Sequence, residues 1–344
     1  MNSETTIHSL HQGPHRGIFH IAGGGANMVS DLLQVPGASG TIIEAVIPYS
    51  ESSLTTLLGS KPDQACSPET ARDLAMSAFL RANDADPGND RFGFAITASL
   101  RSSIPKKGEH RAHFAMQTHT HTHTWSLQLA KELRSRQDEE RLLTEMALAE
   151  FLRSFGLEHA RPKLTHGDVI KADIAEGTLD LQELLVGKRQ VVRGKKTTTI
   201  FPGAFNPAHD GHRRMAEIAG RHLGTSVAYE ICIRNVDKPP LNFHDMALRI
   251  EQFDKDEVWF SNTPTFVEKA RAFGAVTFLV GTDTIRRIAN RKYYEDGSFE
   301  DAIDEIAGIG CRFLVFGRTE GQQFINLKDL EVPGNLIAIC DSVS

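Results

Sequence analysis

Two imidazoles three positions apart, His209 and His212, close the run Ile200-Phe201-Pro202-Gly203-Ala204-Phe205-Asn206-Pro207-Ala208-His209-Asp210-Gly211-His212. A strand end, a glycine turn and a helix start follow one another in this run. That succession aims free backbone N–H groups and the positive end of a helix at an anion. Gly203 is expected to let the backbone approach a phosphate, and Gly211 to relieve crowding where the helix begins. Both histidines then point to the same side of the first helical turn and can donate hydrogen bonds to phosphate oxygens. A lone His-x-x-His reads as two surface histidines; the glycines together with Phe205, Asn206 and Pro207 set that reading aside. The chemistry such an arrangement suits is the handling of phosphate groups. An attacking phosphate is already an anion, so alignment and charge stabilisation suffice, with no covalent intermediate.

Such a pair needs a strand that delivers the turn and a helix that starts on time. From 197 onward, strands are expected at 198–202, 228–233, 276–280 and 312–316, with helices at 211–223 and 245–253. Strands alternating with helices imply a Rossmann-like, doubly wound parallel sheet, with its ligand crevice at the carboxyl ends of the strands. Ahead of it, strands at 42–48, 92–98 and 113–118 and helices at 68–83 and 137–155 describe one α/β layer domain. Between 158 and 196 the pattern weakens, carrying Pro162, Gly167, Gly177 and Gly187, and it closes on a basic run from Lys188 to Lys196. The expected organisation is a first domain over 1–157, a connector over 158–196 with some structure around 179–186, and a second domain over 197–344.

The run from Gly203 to His212 resembles the Gly-x-Phe-x-Pro-x-His-x-Gly-His signature of the nucleotidylyltransferase superfamily. With Asn206-Pro207 after the phenylalanine it is most similar to nicotinamide or nicotinate mononucleotide adenylyltransferases. Further on, Phe278-Leu279-Val280-Gly281-Thr282-Asp283-Thr284 resembles the Gly-x-Asp strand end of the same family, where the aspartate faces a nucleotide ribose. A carboxylate accepting ribose hydroxyls is a sound role for Asp283; a helix N-cap is the structural alternative. Lys238, in Asn235-Val236-Asp237-Lys238-Pro239-Pro240, is a candidate for a substrate phosphate, with a solvated lysine as the plainer reading. The family's late Ile-Ser-x-Thr-x-x-Arg segment is not met before Ser344. Arg318, in Phe316-Gly317-Arg318-Thr319-Glu320-Gly321, is the basic group expected near a late strand end, although Gln322-Gln323-Phe324 stand where cytidylyltransferases continue with Ser-Thr-Thr. The expectation is either a longer chain or weakened stabilisation of the leaving group.

The resemblance implies adenylyl transfer from ATP, with Mg2+, to a pyridine mononucleotide in NAD biosynthesis, releasing pyrophosphate. His209 and His212 are the catalytic candidates, and Gly203, Ala204, Phe205, Asn206, Gly211, Gly281, Asp283 and Arg318 the nucleotide-binding ones. Two alternatives stay open: a cytidylyltransferase or another nucleotidylyltransferase, and a nucleotide-binding sensor or scaffold with little catalysis.

In the first domain, Ser30-Asp31-Leu32-Leu33-Gln34-Val35-Pro36-Gly37-Ala38-Ser39, Glu44-Ala45-Val46-Ile47-Pro48-Tyr49-Ser50, Leu57-Leu58-Gly59, Ser67-Pro68-Glu69-Thr70-Ala71 and Phe94-Ala95-Ile96-Thr97 resemble, in order, the CinA C-terminal domain, the nicotinamide-mononucleotide amidase family. The family's nucleophilic serine falls near Ala22 and its lysine on Leu54, so the resemblance implies a non-hydrolytic relative. Gly23-Gly24-Gly25 is expected as a structural turn, with a phosphate cradle as the alternative. The alternating histidines of Thr118-His119-Thr120-His121-Thr122-His123-Thr124-Trp125 are expected on an exposed or edge strand rather than around a metal.

At 344 residues, about two domains are expected. Forty per cent apolar and 24% charged residues are ordinary for a globular chain, and a net charge of -6 argues against nucleic acid as a partner. Cys66, Cys232, Cys311 and Cys340 form no Cys-x-x-Cys pair, which fits a reducing cytoplasm. The polar start and the lack of a long apolar run predict a cytoplasmic protein with no membrane partner. ATP and a phosphorylated small-molecule acceptor are the expected partners, and the CinA resemblance implies a homo-oligomer.

Overall fold

The computed structural model describes residues 3–104, 107–234, 240–254, 257–294, 298–321 and 323–343. It divides into two compact units, Met1–Leu179 with Asp237–Asp245, and Asp180–Val236 with Met246–Ser344. Among the described residues no helix is long and apolar enough to cross a membrane.

The first unit runs α1 (Ser3–His11), β1 (Arg16–Ala22), α2 (Asn27–Leu33), β2 (Ile42–Val46), α3 (Glu51–Leu58), α4 (Pro68–Ala85), β3 (Arg91–Ser99), β4 (His110–Gln117), β5 (His121–Leu129), α5 (Arg136–Ser154) and β6 (Val169–Glu176). Local chemistry starts its helices. Ser67 caps α4 by accepting the Thr70 N–H, with Pro68 in the first turn, and Ser135 and Asp138 form a capping box at α5. The strands make a six-stranded sheet in the order β2-β1-β3-β4-β5-β6. β1 is parallel to both β2 and β3, and β3 to β6 are antiparallel in turn.

The two faces of this sheet are packed differently. Phe19, Phe92, Phe94, Ile96, Phe114 and Trp125 share one apolar core with residues of α1, α2 and α5. Ala95 and Ala115 share the opposite core with Leu54 and Leu58 of α3 and with Ala71, Leu74 and Ala75 of α4. Alternation along β3 thus puts large rings on one face and small residues on the other. Gly93 is on the small-residue face: a Cβ there would come within 2.0 Å of the Ala75 carbonyl oxygen and 2.3 Å of the Phe79 nitrogen. The backbone of α4 lies directly on the sheet at that point.

The second unit carries α6 (Leu179–Leu185), β7 (Val191–Val192), β8 (Thr199–Pro202), α7 (Asp210–Leu223), β9 (Val227–Cys232), α8 (Phe243–Ile250), β10 (Val258–Ser261), α9 (Phe266–Phe273), β11 (Thr277–Gly281), α10 (Thr282–Ile288), α11 (Ser298–Ile309), β12 (Arg312–Phe316), β13 (Arg318–Glu320), β14 (Gln323–Ile325), α12 (Gly334–Ile337) and β15 (Cys340–Val343). Its seven-stranded sheet has the order β15-β12-β11-β8-β9-β10-β7. Pairing is parallel throughout, apart from antiparallel β7 on β10. From β8 the chain moves outward through β9 to β10, and it then returns to the other side of β8 with β11. The doubly wound parallel sheet expected from the sequence is therefore present, with its switch point between β8 and β11.

The stretch 158–196, expected as a connector, holds β6, α6 and β7, so it contributes a strand to each sheet. The histidine-rich segment also differs from expectation. β5 lies between β4 and β6 rather than at an edge, and it begins at His121, so His119 stands outside it. His123 stacks on Trp125 with ring centroids 3.7 Å apart, and burial lowers its pKa to about 4.

Replacing Gly93 with alanine forces α4 off the sheet and should destabilise the first unit by about 2 kcal/mol or more. Urea unfolding followed by Trp125 fluorescence in a Trp259→Phe background measures it; an unchanged midpoint would show that α4 has room to move.

Candidate functional site

Parallel neighbours end on the same edge of a sheet, and the register makes this concrete for β8 and β11. Thr199 pairs with Thr277, and Ile200 with Phe278. Three residues beyond Ile200 and Phe278 stand Gly203 and Gly281, so the loops that follow both strands leave from the same level at the switch point. This is where an open α/β sheet forms its crevice. The histidine run and the Gly281–Asp283 strand end, separated by about 70 positions in the sequence, are brought to one edge by this pairing.

The loop 203–209 is organised around one ring. Phe205 is 2% exposed and adopts φ +44, a left-handed conformation in which a non-glycine residue is strained. Its ring meets Phe201 at 5.4 Å, Tyr229 at 5.3 Å, Phe253 at 5.5 Å and His212 at 5.1 Å, all edge-on. These contacts offset the strain. They also give Gly203 a packing reason of its own: a Cβ there would meet the Phe205 ring at 2.6 Å, and the Gly203 N–H is donated to the Glu230 carbonyl at 2.9 Å. Glu230 is itself fixed by a buried ion pair with Lys269, at 2.7 and 2.8 Å to its two oxygens.

His209 and His212 stack with ring centroids 3.6 Å apart, on the same side of the first turn of α7 as their spacing predicts. The His209 imidazole covers Gly211, where a Cβ would come within 2.9 Å of it, so Gly211 does relieve crowding at the helix start. The His209 N–H donates to His212 Nδ1 at 3.2 Å. That acceptor role assigns the His212 proton to Nε2, leaving an N–H available as a donor. Burial, and then the neighbouring His209, hold the His212 pKa below its ordinary value. Its imidazole is therefore neutral at pH 7. As pH falls below 6.5 the unfolded chain takes up a proton that the folded imidazole resists, so acidification lowers the stability of this unit.

Two residues with no motif of their own clamp the loop. Gln252, just past α8, accepts the Ala208 N–H at 2.6 Å and donates to the Phe205 carbonyl at 3.0 Å. Arg249 donates to the Ala204 carbonyl at 3.1 Å. Asn206 and Ala204 are exposed on the loop.

At the β11 end, Gly281 rather than Asp283 is the N-cap of α10, which corrects the capping alternative. Asp283 lies in the first turn, half exposed, and forms an ion pair with Arg318 at the start of β13. Arg286 joins them, 3.7 Å from Asp283 and 2.6 Å from Glu320. Two candidates thus meet each other. Lys238 and Gln322 lie outside the described residues.

In the first unit, Ala22 ends β1 and is buried, and Leu54 is buried in the apolar cluster beneath α3. The Gly23-Gly24-Gly25 turn faces the Glu140 carboxylate, whose Oε1 accepts the Gly25 N–H at 2.7 Å.

Residues 200–322 match the sequence model of the family described as cytidylyltransferase-like. No curated protein sequence matches the chain. Among solved structures, a competence/damage inducible protein, CihA, from Agrobacterium tumefaciens is similar at 15% identity, covering 45% of this chain and 95% of that one with a TM-score of 0.36. A competence-damaged protein (CinA) superfamily protein from Escherichia coli is similar at 18% identity over 44% of this chain and 90% of that one, with a TM-score of 0.37. A competence or damage-inducible protein from Enterobacter asburiae is similar at 17% identity over 44% and 95%, with a TM-score of 0.36.

Replacing Gln252 with alanine leaves the Ala208 N–H and the Phe205 carbonyl without their partner. The second unit should lose about 1 to 3 kcal/mol of stability, read by denaturant unfolding through Trp259 in a Trp125→Phe background, and stability equal to the parent would show that the clamp is dispensable.

Proposed function

We propose that the second unit, a cytidylyltransferase-like domain of the nucleotidyltransferase superfamily, transfers an adenylyl group from ATP to nicotinamide or nicotinate mononucleotide, the dinucleotide-forming step of NAD biosynthesis. The observation that carries the reading is the stacked pair His209–His212, with a donor at His212 Nε2, beside the strand end that bears Asp283.

In this reaction an oxygen of the acceptor phosphate attacks the α-phosphorus of ATP. A new P–O bond forms, the bond between the α-phosphorus and the bridging oxygen breaks, and pyrophosphate leaves with its electron pair. His209 and His212 donate hydrogen bonds to phosphate oxygens, and the positive end of α7 faces the charge that develops. Asp283 accepts from ribose hydroxyls, and Arg318, its partner in the ion pair, is the candidate cation for the departing pyrophosphate. Gly203, Ala204, Phe205, Asn206 and Gly211 shape the floor, and Lys238 is kept as the candidate for the acceptor's phosphate. Magnesium would enter with the triphosphate rather than on a protein cage, and would supply charge neutralisation on the leaving group.

The family description of residues 200–322 favours a second reading in which CTP replaces ATP as donor. Pyrophosphate release is the deciding assay, run with magnesium, ATP or CTP, and either mononucleotide. The His212→Ala variant should lose about 100-fold or more of kcat/KM. Release from CTP alone would move the assignment to cytidylyl transfer. Full activity in His212→Ala would remove the histidine from the mechanism, and nucleotide binding without release from any pair of substrates would make the unit a sensor.

A further inference from the structure

β6 closes one border of the first sheet, and among the described residues no strand pairs with its outer side. It is eight residues long, and Lys171, Ala172, Asp173 and Ile174 along its middle are all exposed. An open border of this length is a template for a further strand. The direction of its free main-chain groups follows from one hydrogen bond. Gly177, directly after β6, donates its N–H to the Thr120 carbonyl at 2.8 Å and so continues the register of β6 on β5. Alternate residues of an antiparallel strand turn their main-chain groups the same way. Val169, Lys171, Asp173 and Ala175 therefore face β5, whereas Ile170, Ala172 and Ile174 aim their N–H and carbonyl groups outward.

Charge narrows what can pair there. A lone lysine on an edge strand repels incoming strands, but Asp173 follows Lys171 on the same face, so a second copy of β6 carries the complement of each. Two β6 strands can meet antiparallel only in registers that bring outward groups to outward groups. Centring the pair on Lys171 or on Asp173 sets like charges directly opposite each other, which is destabilising. Centring it on Ile170 or Ile174 shortens the overlap. Centring it on Ala172 sets Lys171 opposite Asp173 on both sides of the two-fold axis, at positions where cross-strand side chains come closest, and forms about six main-chain hydrogen bonds. Asp173 is 3.0 Å from His244 Nε2, yet its side chain remains 63% exposed and open to a lysine. The same register lays Ile174, 52% exposed, against Ile170 of the second copy, a residue already packed on the apolar core. Glu176 at the strand end then meets Asp168, whose carboxylate is neutralised by Arg134.

We propose that β6 is a dimer interface through which two copies of this chain join antiparallel about Ala172, making one continuous sheet of their first units. The interface uses no residue of the nucleotide chemistry proposed for the second unit, so the two readings stand or fall separately.

Sedimentation equilibrium of the full chain over a concentration series tests it. The parent should dimerise. Lys171→Asp and Asp173→Lys should each weaken dimerisation at least about tenfold, because each sets like charges opposite each other twice. The two substitutions together exchange the signs and should restore the parent's affinity. Ala172→Pro removes an N–H that faces outward and leaves the β5 side of the strand its hydrogen bonds, so it should abolish the dimer. A parent that stays monomeric at every concentration, its edge then left to a strand of another protein, would overturn the proposal. So would a Lys171→Asp or Ala172→Pro chain that dimerises like the parent, or a double variant no better than the single ones. Ala172→Pro and the double variant decide the matter even if one single charge variant folds poorly.

Discussion

Burial of one phenyl ring governs the histidine loop. Phe205 accepts a left-handed backbone that costs about 1 to 3 kcal/mol, and its enclosed ring returns about 1.5 to 3 kcal/mol on leaving water. The two are of similar size, so the edge-on contacts with Phe201, Tyr229, Phe253 and His212 tip the balance. Once the ring is in place, position 203 has no room for a side chain. His212 gains a wall to rest on, and its position fixes the stacked partner His209. The geometry of the two imidazoles is thus set from beneath, by packing, before any ligand arrives.

A second layer of support comes from the sheet. Pairing of β8 with β11 places both loops on one edge. The Glu230–Lys269 pair stiffens β9, whose carbonyl anchors Gly203. Breaking one partner of such a buried pair would leave a bare charge inside the protein. The pair therefore couples the interior of the sheet to the loop. In the first unit the turn after β1 is instead met by a side chain, the Glu140 carboxylate that accepts the Gly25 N–H.

The sequence shows what depends on spacing. His209 and His212 stack because three residues make nearly one helical turn, and the alternation of strands with helices suffices to imply a doubly wound parallel sheet, while its switch point needs the strand order. It also shows Gly281 and Asp283 at a strand end, although the cap fell to the glycine. Long-range clamps leave no such trace. Gln252 lies 44 positions from Ala208, and Glu140 lies 115 positions from Gly25, with no periodicity joining either pair. The packing constraint on Gly203 leaves no trace in spacing either, because it comes from the Phe205 ring folding back over it. β6 and β7 were hidden for another reason: β6 is exposed on both faces and lacks the apolar alternation of a half-buried strand, and β7 has only two residues.

β7 nonetheless changes what the second sheet presents to other molecules. By pairing antiparallel with β10 through Val191 and Val192, it occupies the outer hydrogen-bonding groups of Phe260 and Ser261. It is flanked in sequence by Lys188, Arg193, Lys195 and Lys196, while Arg189 is paired with Asp180 and Glu183. Open strand borders recruit strands from other chains, and short strands flanked by like charges discourage such recruitment. A border made of a two-residue strand flanked by a basic run is, by that rule, a poor template for a further chain.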